Sequence, residues 1–122
     1  MTQREIILFE TDAGKCPPAD YIKNIQRPSE RAKITKVLEA VGQVALMPSH
    51  FFKKMQGRGE LWEVRVLQHR LLGFHTRAGG TGPQEFVIVH AFQKQSQKTP
   101  LHEIEVALRR RDAYLARRGD PQ

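Results

Sequence analysis

The sequence is poor in cysteine, in aromatic residues and in acidic charge. Its single cysteine, Cys16, cannot form an internal disulfide bond, which is typical of proteins from a reducing compartment. Aromatic residues make up only 7% of the 122 positions, so we expect one modest core. Asp and Glu number 13 against 20 Lys and Arg, which gives a formal net charge of +7. Such an excess favours a polyanionic partner: nucleic acid, an anionic membrane or an acidic protein.

Segments and motifs that mark several large protein classes are also missing. No apolar run approaches the roughly 20 residues that a membrane span needs, and Met1–Glu5 carries no signal-peptide pattern. We therefore expect a cytoplasmic protein with no membrane partner. The patterns CxxC, HExxH, GxGxxG and GxxxxGK[ST] do not occur, so the sequence predicts neither a metal site nor a cofactor.

Apolar periodicity and turn signals predict seven elements in the order β-α-α-β-β-β-α. One helix begins at Pro17, a second is capped by Ser29 and ends at Pro48, and a third is capped by Thr99. This order is typical of an α+β domain whose mostly antiparallel sheet packs against helices, and we expect a single domain over residues 1–122. The predicted strands are Glu5–Glu10, Glu60–Val66, Arg70–Phe74 and Glu85–Phe92.

Positive charge is concentrated in two regions. Residues 53–77 contain six cations against two anions, and residues 109–118 contain five arginines against one aspartate. The second region is helical, and the consecutive arginines at 109–111 point to different sides, so these three cannot form one patch. The first region lies on predicted strands and loops, where the side chains can share a surface.

A sheet face with Arg65 and Arg70, edged by Lys53, Lys54 and Lys94, would form a concave cationic surface that can follow a phosphate backbone. The alternative is a solvated surface whose charges do nothing specific. Lysine and arginine are also chemically sufficient to cleave RNA, because the 2′-hydroxyl is an internal nucleophile that needs only alignment, proton transfer and charge stabilisation.

The other candidate residues have a structural explanation beside the functional one. Trp62 is expected in the core, whereas Phe92, at the end of an apolar strand, could stack a base. Glu63 could be an acid/base group, but the preferred interpretation is an ion-pair partner that orients Arg65. His90 lies inside the same apolar strand as Phe92 and is expected to be a satisfied interior histidine. Histidine suits proton transfer at neutral pH, but the five histidines are scattered along the chain.

Four segments together resemble one family. Lys53-Lys54-Met55 followed by residues 59–65 (GELWEVR) is similar to the K-x-L…G-L-W-E-L-R element of the phage-derived Gp49-like, HigB-type toxins of the RelE/ParE superfamily. Residues 69–72 (HRLL) resemble the following Y-R-I/V strand, and residues 87–100 resemble L-L-H-x-F-x-K-K-x-x-K-T-P. Residues 103–110 resemble E-I-x-x-A-x-x-R. The resemblance extends from Glu5 to Arg118.

The resemblance implies a RelE-like fold and the toxin of a type II toxin–antitoxin system. Such toxins usually cleave ribosome-bound mRNA without a metal, and they are neutralised by a cognate antitoxin. The assembly expected is a homodimer or a toxin–antitoxin heterotetramer. Carried over by position, Arg65 and Arg70 would bind phosphate and stabilise the charge of the transition state. Lys54 or Lys94 would transfer protons or stabilise charge. Residues implied to bind RNA are Lys53, Arg58, Phe92 and Lys98.

Four departures from the family pattern bear on this assignment. Gln95 replaces the second lysine of the usual pair, Gln93 occupies a position that is commonly apolar, and His69 replaces a common tyrosine. The glycine-rich loop at residues 79–83 is longer than in many members. One branch of the superfamily poisons DNA gyrase, so two alternatives stay open: a gyrase-inhibiting toxin, and a non-catalytic domain that binds nucleic acid or a partner.

Overall fold

The computed structural model describes residues 3–95 and 98–119, and within them it contains five strands and three α-helices. The predicted α+β class is confirmed, and one short strand, which we number β2, is added to the predicted order. The elements are β1 (Glu5–Leu8), α1 (Pro17–Lys23), α2 (Pro28–Gln43), β2 (Phe52–Lys54), β3 (Trp62–Val66), β4 (His69–Arg77), β5 (Gln84–Gln93) and α3 (Leu101–Arg118).

The five strands form one mixed sheet in the order β1-β5-β4-β3-β2. Three of its four strand pairs are antiparallel, as expected, and β1 alone pairs in parallel, with Glu5 opposite Glu85. Strand β5 therefore has a neighbour on each side. Its apolar side chains are buried towards both faces, which confirms the interior strand that the run Glu85–Phe92 predicts.

Helices cover both faces of the sheet and create two cores. On one face, α2 packs on the sheet through Ile34 and Val41, which lie at helical spacing and have no exposed surface, and α1 adds the partly buried Ile22. On the other face, α3 packs through Ile104, Ala107 and Leu115. Trp62 lies against the first of these cores and stacks on Phe52, as expected of a packing residue.

A change of register in β5 brings polar side chains to the α3 face. Leu72 pairs with His90, whereas the next residue, Gly73, pairs with Ile88, so Val89 is skipped. Val89 and His90 consequently both face α3. A side chain at Gly73 would place its Cβ 2.5 Å from the Val87 carbonyl oxygen, and this close approach explains the glycine.

The observed helix ends differ from the predicted ones. Helix α2 begins at Pro28, with Arg27 rather than Ser29 as the N-cap, and it ends at Gln43, before Pro48. The buried guanidinium of Arg4 donates hydrogen bonds to the carbonyl oxygens of Val41, Val44 and Ala45. It thereby supplies partners for carbonyl groups at the C-terminal end of α2, which has no basic residue in its last turn.

Helix α3 begins at Leu101 with Pro100 as its N-cap, so the predicted capping role of Thr99 is wrong. The Thr99 hydroxyl donates to a side chain instead, as described below. In the described part of the chain, none of the helices combines the length and apolar character that crossing a membrane requires.

The aromatic cluster around His75 makes stability depend on pH. Burial, helped by the nearby Arg4, lowers the pKa of His75 to about 4. An unfolded histidine binds a proton near pH 6.5, so the free energy of unfolding falls as the pH drops from about 6.5 to about 4, by at most about 1.4 kcal/mol per unit. We expect His75→Phe to flatten this slope in urea unfolding measured at several pH values.

The exposed residue His50 provides the control for this experiment. His50→Gln should leave the slope as in the wild type. An unchanged slope in His75→Phe would show that His75 does not titrate differently in the folded and unfolded chains.

Candidate functional site

A buried carboxylate organises the end of the sheet next to α3. Residues alternate between faces along β3, so Leu61, Glu63 and Arg65 all point towards α3. Glu63 is 4% exposed. Its Oε1 accepts a 2.7 Å hydrogen bond from Nε of Arg65, and its Oε2 accepts a 2.9 Å bond from Oγ1 of Thr99. The predicted orienting role of Glu63 thus has a matching geometry, and Thr99 is a second partner.

Arg70 lies beside this pair and is held by the backbone. The register places Arg70 opposite Arg65 on one side and opposite Phe92 on the other. Its Nη1 donates 2.9 Å hydrogen bonds to the carbonyl oxygens of Leu67 and His69, and its Nε lies 3.9 Å from Oε1 of Glu63. Burial lowers the pKa of the Arg70 guanidinium, Glu63 counteracts this effect, and Arg65 adds to it.

A cleft of about 300 Å³ opens beside Glu63 between the β2–β3 hairpin and the segment that leads into α3. It brings together five of the eight residues that the sequence singles out. Arg65 closes its inner end with a side chain that is 35% exposed, whereas the lysines and Arg58 lie on its exposed walls. The five residues are Lys53, Lys54, Arg58, Arg65 and Lys98.

Three predicted site residues, Arg70, Phe92 and Lys94, do not line this cleft. Arg70 and Phe92 are 8% and 6% exposed. The Phe92 ring belongs to the core under α3 and stacks on His90, with ring centroids 5.7 Å apart, so in this structure it packs rather than presenting an open face. Lys94 follows β5, and its backbone N–H donates to the carbonyl oxygen of Gln68.

The β2–β3 loop that carries Arg58 is fixed by its backbone and by α3. Gly57, Gly59 and Glu60 have positive φ angles of 62°, 59° and 63°, which the tight reversal requires. Arg111 of α3 donates to the Gly59 carbonyl oxygen, and a Cβ at Gly59 would lie 2.6 Å from Nη1 of Arg111, so that side chain would have to move. Glu60 forms an exposed 2.9 Å ion pair with Lys54, so it offsets part of the positive charge at the mouth of the cleft.

His90 is satisfied inside the protein, as predicted. Its Nε2 lies 2.6 Å from Glu103 Oε1, and its Nδ1 lies 3.2 Å from Nη1 of Arg110. Because a guanidinium can only donate, Nδ1 accepts and Nε2–H donates to the carboxylate. Burial lowers the pKa of His90, although Glu103 opposes the shift. This geometry assigns His90 a packing role under the first turn of α3.

Sequence reasoning missed the partners that come from distant segments. Thr99 is 36 positions from Glu63, and a Thr-Pro pair ahead of a helix is more often a cap. A hydrogen-bonded chain of Tyr21, His69 and Glu30 on the opposite face of the sheet was also missed. Only the replacement of a common tyrosine by His69 drew attention to that position.

The site combines a dense set of donors with a fixed geometry. The guanidinium and ammonium groups of the lining suit an extended anion that carries several charges. Arg65, which is bound to a carboxylate, has little conformational freedom to lose on binding. Within residues 3–95 and 98–119, no group of three or more His, Cys, Asp or Glu side chains could hold a metal ion.

These features define a small basic α+β protein with a cationic cleft at one end of a five-stranded mixed sheet. The chain belongs to the phage-derived Gp49-like protein family (DUF891), whose family model matches residues 20–112. The matched part includes every residue of the cleft. No match to the chain was found among curated proteins.

Loss of the Glu63 charge should destabilise the fold. Glu63→Gln leaves Arg65 and Arg70 adjacent without their shared counter-charge, and we expect the free energy of unfolding to fall by about 1–3 kcal/mol in urea titrations. Glu60→Gln is the matched control, because its ion pair with Lys54 is exposed and should contribute less than about 1 kcal/mol. Equal losses in the two variants would contradict the organising role of Glu63.

Proposed function

We propose that the protein is the toxin of a type II toxin–antitoxin system and that it cleaves mRNA on the ribosome. Two findings support the proposal: membership of the Gp49-like family, and the cationic cleft that Arg65 closes. The single observation on which it rests is the convergence of Lys53, Arg58, Arg65 and Lys98 on one cleft. The alternative, a solvated surface without a specific role, does not account for the fixed position of Arg65 on the buried Glu63 carboxylate.

The proposed chemistry uses the RNA's own nucleophile. The 2′-hydroxyl gives up its proton to water as its oxygen attacks the adjacent phosphorus, the bond from phosphorus to the 5′-oxygen breaks, and the 5′-oxygen takes up a proton. The products are a 2′,3′-cyclic phosphate and a 5′-hydroxyl end. Arg65 would stabilise the charge that grows on the non-bridging oxygens. Of the two lysines implied in proton transfer, Lys54 lines the cleft and Lys94 does not, so we assign that role to Lys54.

The remaining cations would position the RNA strand. Lys53, Arg58 and Lys98 lie on the outer walls, where they would bind phosphates on either side of the reacting one. A cognate antitoxin would compete for this surface with acidic side chains, because the same charge complementarity serves both partners. Arg70, held by backbone carbonyls, lies opposite Arg65 in the sheet and would add to the positive potential.

Removing the inner arginine should abolish toxicity while the protein stays folded. Arg65→Ala removes one partner of the buried Glu63 carboxylate, so circular dichroism must first show that the variant is folded at the growth temperature. Thr99 and Arg70 remain beside the carboxylate, and we expect cells that express the folded variant without antitoxin to grow normally. The wild type should arrest growth and leave new mRNA ends with 5′-hydroxyl groups, which polynucleotide kinase labels directly. The control is Lys33→Ala, an exposed cation of α2 outside the cleft, which should stay as toxic as the wild type.

Two results would contradict the proposal. DNA damage with intact message would indicate gyrase poisoning, and normal growth with the wild type would indicate a non-toxic binding domain.

The outer lysines should act through charge. Replacing both Lys53 and Lys98 by alanine should reduce the slope of log affinity against log salt by about 1.4 for a single-stranded RNA, since each phosphate contact contributes about 0.7. Fluorescence anisotropy at several salt concentrations measures this slope. A slope equal to that of the wild type would show that these lysines do not contact phosphate.

A further inference from the structure

A second, separate cavity lies on the opposite face of the same sheet end. It has a volume of about 350 Å³ and lies between the end of α1, the connection to α2 and the ends of β4 and β5. Its lining is rich in neutral groups that can both donate and accept hydrogen bonds, and Ile25 is the one purely apolar side chain among its lining residues. These residues are Tyr21, Asn24, Ile25, Gln26, Arg27, Glu30, His69 and Gln93.

A buried chain of hydrogen bonds holds the back wall of this cavity. The ring nitrogens of His69 lie 2.7 Å from the Tyr21 hydroxyl (Nδ1) and 2.7 Å from Glu30 Oε1 (Nε2), and the His69 side chain is 6% exposed. With the hydrogen on Nε2, Nδ1 accepts the phenolic O–H, so the Tyr21 oxygen keeps a lone pair for a ligand. Burial, together with Glu30, raises the pKa of Tyr21 to about 12, which keeps the phenol neutral.

The cavity and the cationic cleft are connected through neighbouring strands. Arg65 of the cleft pairs with Arg70 of β4, and His69 of the cavity directly precedes Arg70. Successive strand residues point to opposite faces, so Arg70 lies on the α3 face of this sheet end and His69 lies on the other. An RNA strand with phosphates in the cleft would have to pass around this end to place a base in the cavity.

We propose that this cavity binds an unpaired nucleobase, with adenine preferred. The inference rests on the proposed function, because the base would belong to the RNA strand held in the cleft. Amide side chains match the adenine edge, where the amide oxygen accepts from the N6 amino group and the amide N–H donates to a ring nitrogen. Single-stranded RNA is commonly recognised through such splayed bases. The volume is near the lower end of small-ligand sites, as one base requires.

The lining favours a base over an acidic peptide. Glu30 contributes a carboxylate to the wall, whereas the one cationic lining side chain, Arg27, is 82% exposed at the rim. An acidic side chain inside would face this carboxylate, while the exocyclic amine of a base would find an acceptor in it. Arg27 can meet the phosphate that remains outside.

The test is a titration of the intact protein with AMP, GMP, CMP, UMP and ribose 5-phosphate, followed by NMR of the backbone amides. We expect AMP to shift signals from residues 21–30 more than the other nucleotides do. The affinity should be about threefold to tenfold weaker in each of Asn24→Ala, Gln93→Ala and Tyr21→Phe, because each loses one hydrogen-bonding group. Gln43→Ala removes an exposed amide from the far end of α2 and should bind as the wild type does.

Three outcomes would overturn the proposal. In the first, AMP leaves the signals of residues 21–30 unshifted. In the second, ribose 5-phosphate binds as well as AMP, which would indicate a phosphate contact at Arg27 alone. In the third, the alanine variants lose affinity only for the antitoxin, which would assign the cavity to a protein partner. Tyr21→Phe keeps the aromatic ring and removes only the hydroxyl group. It therefore still tests nucleotide binding if one of the alanine variants unfolds at a low temperature.

The nucleotide titration needs neither ribosomes nor RNA cleavage. A negative titration can therefore be distinguished from a protein that does not cleave RNA. If the protein cleaves RNA in an Arg65-dependent way but does not bind AMP in this cavity, only the present inference is overturned.

Discussion

One buried carboxylate determines the arrangement of the site. Glu63 is on β3, and it holds Arg65 on the same strand, Thr99 ahead of α3 and, more loosely, Arg70 on β4. Burying a charge is costly unless it is paired and hydrogen-bonded, so the three segments must meet for the carboxylate to be tolerated. The same requirement fixes Arg65 at the inner end of the cleft.

This constraint changes how the net charge of +7 should be understood. Much of the positive charge is used inside the structure: Arg4 ends α2, Arg110 holds the Val89 carbonyl and His90, and Arg111 fixes the β2–β3 loop. These three arginines serve the fold and lie outside the cleft, whereas Arg65 both serves the fold and lines the cleft. A count of charges along the sequence cannot distinguish these roles, because the distinction depends on which carbonyl and carboxylate groups fold against each arginine.

The parts of the fold that the sequence predicts well are those with a strong local period, such as α2, α3 and β5. Strand β2 was missed because it has three residues, two of them exposed lysines, and it forms only through pairing of Phe52 with Val64 on β3. Five cleft residues were predicted because they are cations near one hairpin. Thr99 and the amide-lined cavity were not predicted, because the residues that contact each other there come from segments far apart in sequence. A local sequence pattern carries no information about such contacts.

The position of β5 also determines when the protein can assemble. β1 has β5 as its strand partner, and Glu5 lies opposite Glu85, 80 positions further along the chain. During synthesis, β1 and the hairpin of β3 and β4 therefore wait as separate edges until residue 93 has left the ribosome. The sheet can therefore close around its most apolar strand only after β5 has been made. The cleft needs Lys98, Thr99 and Ile104 as well, so it forms only after the start of α3 has followed.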